Sequence, residues 1–169
     1  MAKTKTEKAE IVQKLEGAFK NAASSVFVHF NKVNVAEETA MRRALRAGNV
    51  SYVVAKKTLI RRALENLGHK SADVTLDGEV AIAYGLPSQS GGEDITAPAR
   101  LIHEFGKKLT DRIAILGGIF EGKLIGQAHM REIAMVPPME TLRTMFAQLV
   151  NSPRQRFAVV LSKVAEVKQ

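Results

Sequence analysis

Tyr52-Val53-Val54-Ala55-Lys56-Lys57-Thr58-Leu59-Ile60-Arg61-Arg62-Ala63-Leu64-Glu65-Asn66-Leu67-Gly68 changes its period part-way along. Tyr52, Val53 and Val54 are aromatic and β-branched, which suits a strand. From Thr58 the apolar residues Leu59, Ala63 and Leu67 recur at helical spacing, and Gly68 is a suitable terminator. One strand therefore runs straight into one helix, and the same alternation repeats on both sides. Upstream, residues 6–22 read as an amphipathic helix with Ile11, Leu15, Ala18 and Phe19 on its stripe. Val26-Phe27-Val28-His29-Phe30 reads as a buried strand, and residues 35–47 as a helix ended by Gly48. Downstream, residues 79–84 form a strand, and 86–92 a Pro/Ser/Gly loop. Residues 96–108 are helical, with Pro98 tolerated in the first turn. Residues 112–120 form a strand ending near Gly117-Gly118; residues 123–125 pair briefly, and 127–135 are a short helix.

Val136-Pro137-Pro138 is the clearest boundary, because consecutive prolines disfavour a helix through the junction. Two domains follow: residues 1–136, an α/β domain, and residues 137–169, a long helix. Alternating strands and helices usually indicate a parallel doubly wound sheet. The strands here are few and short, and the turn signals equally allow a mixed, largely antiparallel sheet. Ser152 with Gln155 three residues later matches a capping box, and Pro153 suits the first position of a new helix. A kink or restart is expected there.

The chain has 169 residues, 46% of them apolar, and no cysteine. That is enough for a core, excludes disulfides and thiol nucleophiles, and fits a reducing cytosol. No apolar run reaches the roughly 18 residues a membrane span needs. The basic start lacks a following apolar block, so it does not read as a secretory signal. The net charge of +8 is segregated: residues 1–70 hold 14 Lys/Arg against 6 Asp/Glu, residues 71–137 hold 6 against 9, and residues 138–169 hold 5 against 2. Segregated positive charge suggests a polyanion face, most often nucleic acid.

The densest such face is Lys56, Lys57, Thr58, Arg61 and Arg62, where forked guanidiniums, ammoniums and the free amides of a helix start suit phosphate oxygens. Arg42, Arg43 and Arg46 make a second, and Lys3, Lys5 and Lys8 a basic arm. Any one such residue is usually only solvated; the cluster is what suggests RNA. Tyr52 and Tyr84 sit inside strand patterns and read as core, which favours backbone and shape recognition over the reading of unpaired bases.

Leu142, Met145, Phe146, Leu149 and Val150, then Phe157, Val160, Leu161, Val164 and Val167, recur at helical spacing after the proline hinge. An ordinary last helix would pack such a stripe on its own core. Here the cluster 157–161 is wider than one face needs, which suits side-by-side helical partners.

Catalysis has no constellation. His29, His69, His103 and His129 lack metal-ligand spacing, Gly91-Gly92 and Gly117-Gly118 lack a nucleotide fingerprint, and Glu37-Glu38 and Glu93-Asp94 lie where helix capping explains them. No enzyme, cofactor, metal or small-molecule substrate is expected. Two classes stay open on the residues alone: a scaffold joining RNA to helical partners, and a free-standing nucleic-acid regulator that self-dimerises through its last helix. Self-association of residues 138–169 expressed alone would favour the regulator.

Four stretches carry a family resemblance: Lys3-Thr4-Lys5-Thr6-Glu7-Lys8-Ala9-Glu10-Ile11-Val12, the junction 53–63, Gly117-Gly118-Ile119-Phe120-Glu121-Gly122-Lys123-Leu124-Ile125, and the Val136-Pro137 hinge. Their order and spacing, end to end, resemble bacterial large-subunit ribosomal protein ten, the base of the ribosomal stalk. The resemblance implies an α+β fold, a ferredoxin-like α/β plait followed by a long C-terminal helix. It implies a structural role in the cytoplasmic ribosome. The first domain would bind the GTPase-associated region of large-subunit ribosomal RNA beside a neighbouring large-subunit protein. The last helix would bind dimers of the acidic stalk protein, which recruit translational GTPases. The family's basic junction maps onto Lys56, Lys57, Arg61 and Arg62; its dimer-binding helix maps onto Phe157, Val160, Leu161 and Val164, with Leu142, Phe146 and Leu149 beside them. Two dimers are expected, since the chain ends at Gln169 without a further repeat. The family also implies repression of its own messenger RNA.

Overall fold

A computed structural model describes residues 4–68, 76, 78–86, 94–109 and 112–167. The elements are α1 (Lys5–Asn21), β1 (Ser24–Phe30), α2 (Val35–Ala47), β2 (Val50–Val54), α3 (Lys57–Asn66), β3 (Val80–Gly85), α4 (Ala97–Lys108), β4 (Ile113–Phe120), β5 (Lys123–Gly126), α5 (Gln127–Met135) and α6 (Met139–Val167). The loop expected at 86–92 lies almost wholly outside the described residues, as does His69.

The sheet is antiparallel throughout, in the order β2-β3-β1-β4-β5, which removes the parallel alternative. Within it, β1-α2-β2 and β3-α4-β4 give the β4-β1-β3-β2 arrangement of a ferredoxin-like plait. The fold is α+β. Strand alternation sends Val26 and Val28 to one face and Phe27 to the other, so two cores form. Val26, Val28, Met41, Leu45, Ile102 and Met130 pack between the sheet and α2, α4 and α5. Phe27, Ile82, Leu15, Phe19, Ile60 and Leu64 pack between the opposite face and α1 and α3. Phe19 meets Phe27 edge-on at 6.1 Å. The buried residues of α3 are Ile60, Ala63 and Leu64, so its inner face is turned slightly from the stripe Leu59-Ala63-Leu67.

The Gly117-Gly118 pair does not end β4; the strand passes through it. Phe27 pairs with Gly117 and Val28 with Ile115, leaving Leu116 as the extra residue of a β-bulge. Gly117 has φ 150, a conformation that residues with side chains rarely adopt. The bulge shifts the strand's parity. Ile113 and Ile115 face α4 and α5 before it, whereas Gly118 and Phe120 do so after it.

The chain divides into two compact units, Met1–Val136 and Pro137–Gln169. In the second unit the expected restart does not occur, because α6 runs unbroken with Pro153 inside it. Proline cannot donate to the carbonyl four residues back, that of Leu149. The Ser152 hydroxyl donates to that oxygen instead, at 3.0 Å. Ser152 thus back-bonds within one helix rather than capping a new one.

Candidate nucleic-acid and partner interfaces

The fold sorts the basic residues by face. α2 and α3 are neighbours in sequence but lie on opposite sides of the sheet, so Arg42, Arg43 and Arg46 do not join the cluster on α3. Arg42 is also engaged within the domain. It donates to Glu38 through Nε at 3.0 Å and Nη2 at 2.6 Å, and its guanidinium lies 5.0 Å from the Tyr52 ring centre. Burial, helped by Glu38 and opposed by Arg42, pushes the Tyr52 hydroxyl up to about 12. Arg43 and Arg46 stay exposed. Glu37 accepts from the Asn34 amide and pairs with Arg112 at 3.0 Å, so the paired carboxylates serve structure.

On the other side α1 packs against α3, tied by Asn66 Nδ2 donating to Glu16 Oε1 at 2.6 Å. This packing brings Lys8 and Lys14 of α1 to the β2–α3 junction, where they line one groove with Lys56, Lys57 and Thr58. Lys3 lies outside the described residues; Lys5 opens α1, and its side chain is not among those described. Lys56, the N-cap of α3, makes no capping hydrogen bond, and the first turn holds no acid. The first amides of α3 are therefore left to solvent or to an anion. Lys56, Lys57, Thr58, Arg61 and Arg62 are all exposed, and none has an ion-pair partner among the described residues. Lys14 lies off the apolar stripe of α1, and its place in this cluster comes from packing.

A smaller positive group gathers on α4 and α5. Partial burial, then Lys107 and Arg131, hold the His103 imidazole below its usual range, with Glu104 opposing. His29 Nδ1 lies 3.1 Å from the Glu79 carbonyl oxygen, and His129 lies 3.3 Å from Glu132. Among the described residues no group of three His, Cys, Asp or Glu could hold a metal. No helix among them is long and apolar enough to cross a membrane.

α6 carries its apolar residues uncovered. Phe146 is 69% exposed, Leu149 71% and Phe157 67%; Val160, Leu161 and Val164 are also exposed, and Leu142 is half-buried. Contiguous exposed apolar surface of this kind marks an interaction site.

Residues 3–107 match the family described as ribosomal protein L10. The chain belongs to the ribosomal protein L10 family. Membership makes it a structural component of the ribosome and not an enzyme. Similar family members run nearly end to end with it. A large ribosomal subunit protein uL10 from Shouchella clausii is 32% identical over 169 residues, covering 100% of this chain and 98% of that protein. One from Lacticaseibacillus casei is 33% identical, covering 96% and 92%. One from Pelotomaculum thermopropionicum is 34% identical, covering 94% and 86%. The profile stops short of β4, but these relatives extend the likeness through the hinge and α6.

Proposed function

We propose that this L10-family chain is the base of the large-subunit stalk in the cytoplasmic ribosome. Unit 1 binds large-subunit ribosomal RNA beside a neighbouring large-subunit protein. α6 binds dimers of the acidic stalk protein and so supports recruitment of translational GTPases. The observation that carries this reading is the pairing of a Lys/Arg face on α1 and α3, without ion-pair partners among the described residues, with an exposed apolar helix after a proline hinge. RNA contact is assigned to Lys8, Lys14, Lys56, Lys57, Thr58, Arg61 and Arg62, with Arg43 and Arg46 as a separate contact on the far face. Arg42 is better described as a clamp on Tyr52. Dimer contact is assigned to Phe157, Val160, Leu161 and Val164, with Leu142, Phe146 and Leu149 preceding them, and Pro153 is the point at which α6 bends.

A helix of 29 residues is about 43 Å long, and partner helices are about 10 Å across. The apolar stripe therefore accommodates two dimers side by side. Native mass spectrometry of the chain co-expressed with the acidic stalk protein of its own genome tests this. One copy with four stalk chains is expected. A homodimer of this chain that captures no stalk protein would favour the self-dimerising regulator.

A further inference from the structure

The groove between α1 and the β2–α3 junction has an apolar floor that phosphate binding alone does not need. Ile11, Leu15, Val53, Leu59 and Tyr84 line it, and this open groove has a volume of about 1060 Å³. Lys8 and Lys14 stand on the α1 side, Lys56 and Lys57 on the other, and Glu79 is the one carboxylate in the lining among the described residues. None of the four lysines has an ion-pair partner among the described residues. We infer that this groove takes a short unpaired stretch of RNA, its phosphates on the two lysine rims and its bases against the apolar floor. The inference rests on the RNA-binding reading above and deepens it.

A duplex presents phosphate and sugar outward and keeps its bases stacked inside. It would neutralise the lysine rims and leave the apolar floor facing water. An unpaired strand satisfies both, because its bases have apolar faces to bury and its backbone keeps the charge. Tyr84, read from the sequence as core, is half-buried and also reaches the groove lining, so the floor is apolar and partly aromatic. Among the described residues the lining holds no Asn, Gln or Arg to read a base edge, and its lysines are assigned to phosphates, so binding should tolerate base identity. The volume exceeds what one base fills, which is why a stretch and not a single nucleotide is inferred. An acidic amphipathic peptide would also match a lysine rim over an apolar floor. RNA is favoured because Lys57 continues into the Arg61 face, so one polyanion covers both.

The test is fluorescence anisotropy of the full chain with a short single-stranded RNA oligomer of mixed sequence and with the blunt duplex it forms with its complement. The strand should bind about 10-fold more tightly than the duplex at equal salt. Val53 is 37% exposed, so Val53→Asn should leave the fold intact. It should weaken strand binding about 5-fold and leave duplex binding unchanged. Val53→Thr, which keeps the side-chain shape, should act in the same direction and serves if the first variant melts early. Equal affinities for the two probes, or a Val53 change that moves both alike, overturns the inference and leaves the RNA reading standing. A glutamate-rich amphipathic peptide whose binding depends on Val53 while strand binding does not makes the groove a protein site and overturns it too. Failure of both RNAs to bind, at low salt, sinks the RNA reading itself.

Discussion

At Gly118 a methyl group has no room. A Cβ there would press into the Ser25 carbonyl oxygen of the neighbouring strand and come within 2.6 Å of Met130 Cε. Met130 can shift, but the Ser25 carbonyl belongs to the backbone of the central strand and cannot. Gly118→Ala should therefore cost about 1–3 kcal/mol, read as a lower denaturant midpoint at unchanged slope. Tyr52 gives a second outcome at this scale. Its pKa is raised in the fold, to about 12, from an ordinary value near 10. The stability linked to its neutral hydroxyl is fully present below pH 10 and is lost as the pH rises from there through about 12. An absorbance titration should show one tyrosine ionising late, and Tyr52→Phe should remove that alkaline loss of stability. On the basic face, reversing Lys57 and Arg61 together should lower the slope of log affinity for ribosomal RNA against log salt by about 2. Stalk-protein binding should be unaffected, and an unchanged slope would move the RNA contact elsewhere. Arg42 marks the limit of reading at this scale. In sequence it looks like any exposed arginine beside Arg43; only the position of β2 puts the Tyr52 ring under its guanidinium.

Among the elements, the local pattern identified the helices and strands to within a residue or two, because each has a clear period or a clear terminator. The sequence pattern went astray where one residue type serves two geometries. Gly117-Gly118 looked like the end of a strand and proved to be a bulge, since both need freedom at φ. Ser152-Pro153 looked like the start of a helix and proved to be its interior, since the same hydroxyl can cap or back-bond. An interior proline costs about 3 kcal/mol relative to alanine. Pro153→Ala should accordingly raise the ellipticity of the helix band and its thermal midpoint by circular dichroism. If Pro153 bends α6 and so helps it seat two dimers, the same variant should also lower the number of stalk chains seen by native mass spectrometry. An unchanged count would mean that Pro153 has no part in seating them.

For the whole molecule, what the chain could not disclose was the side of the sheet on which each helix lies. α2 and α3 follow one another, and periodicity says nothing about their separation by a β-sheet. The packing of helices on one face then decides which lysines meet: α1, first in the chain, lies with α3, and Lys8 and Lys14 join Lys56 and Lys57. The split at Val136 was visible because two prolines stand beside it. Since each unit holds its own contacts, a chain cut after Val136 should keep a single cooperative thermal transition and its RNA affinity while losing stalk binding. A cut that abolished the transition would mean that the first unit depends on α6.

The central strand of the plait is also the first to be made. β1 pairs with β3 through Phe27–Ile82 and with β4 through Ser24–Phe120, partners that follow it by dozens of residues. At synthesis rates of about 5–20 residues per second, the span from Ser24 to Phe120 takes on the order of 5–20 s to emerge. Until β3 is made, Val26-Phe27-Val28, which the finished fold buries completely, has neither of its partner strands, and until β4 is made it has only one. The nascent chain therefore carries a fully apolar segment that is at best half-paired until translation is mostly complete. Its yield in the cell should respond to chaperones that shield extended apolar segments more than to anything acting on the finished domain.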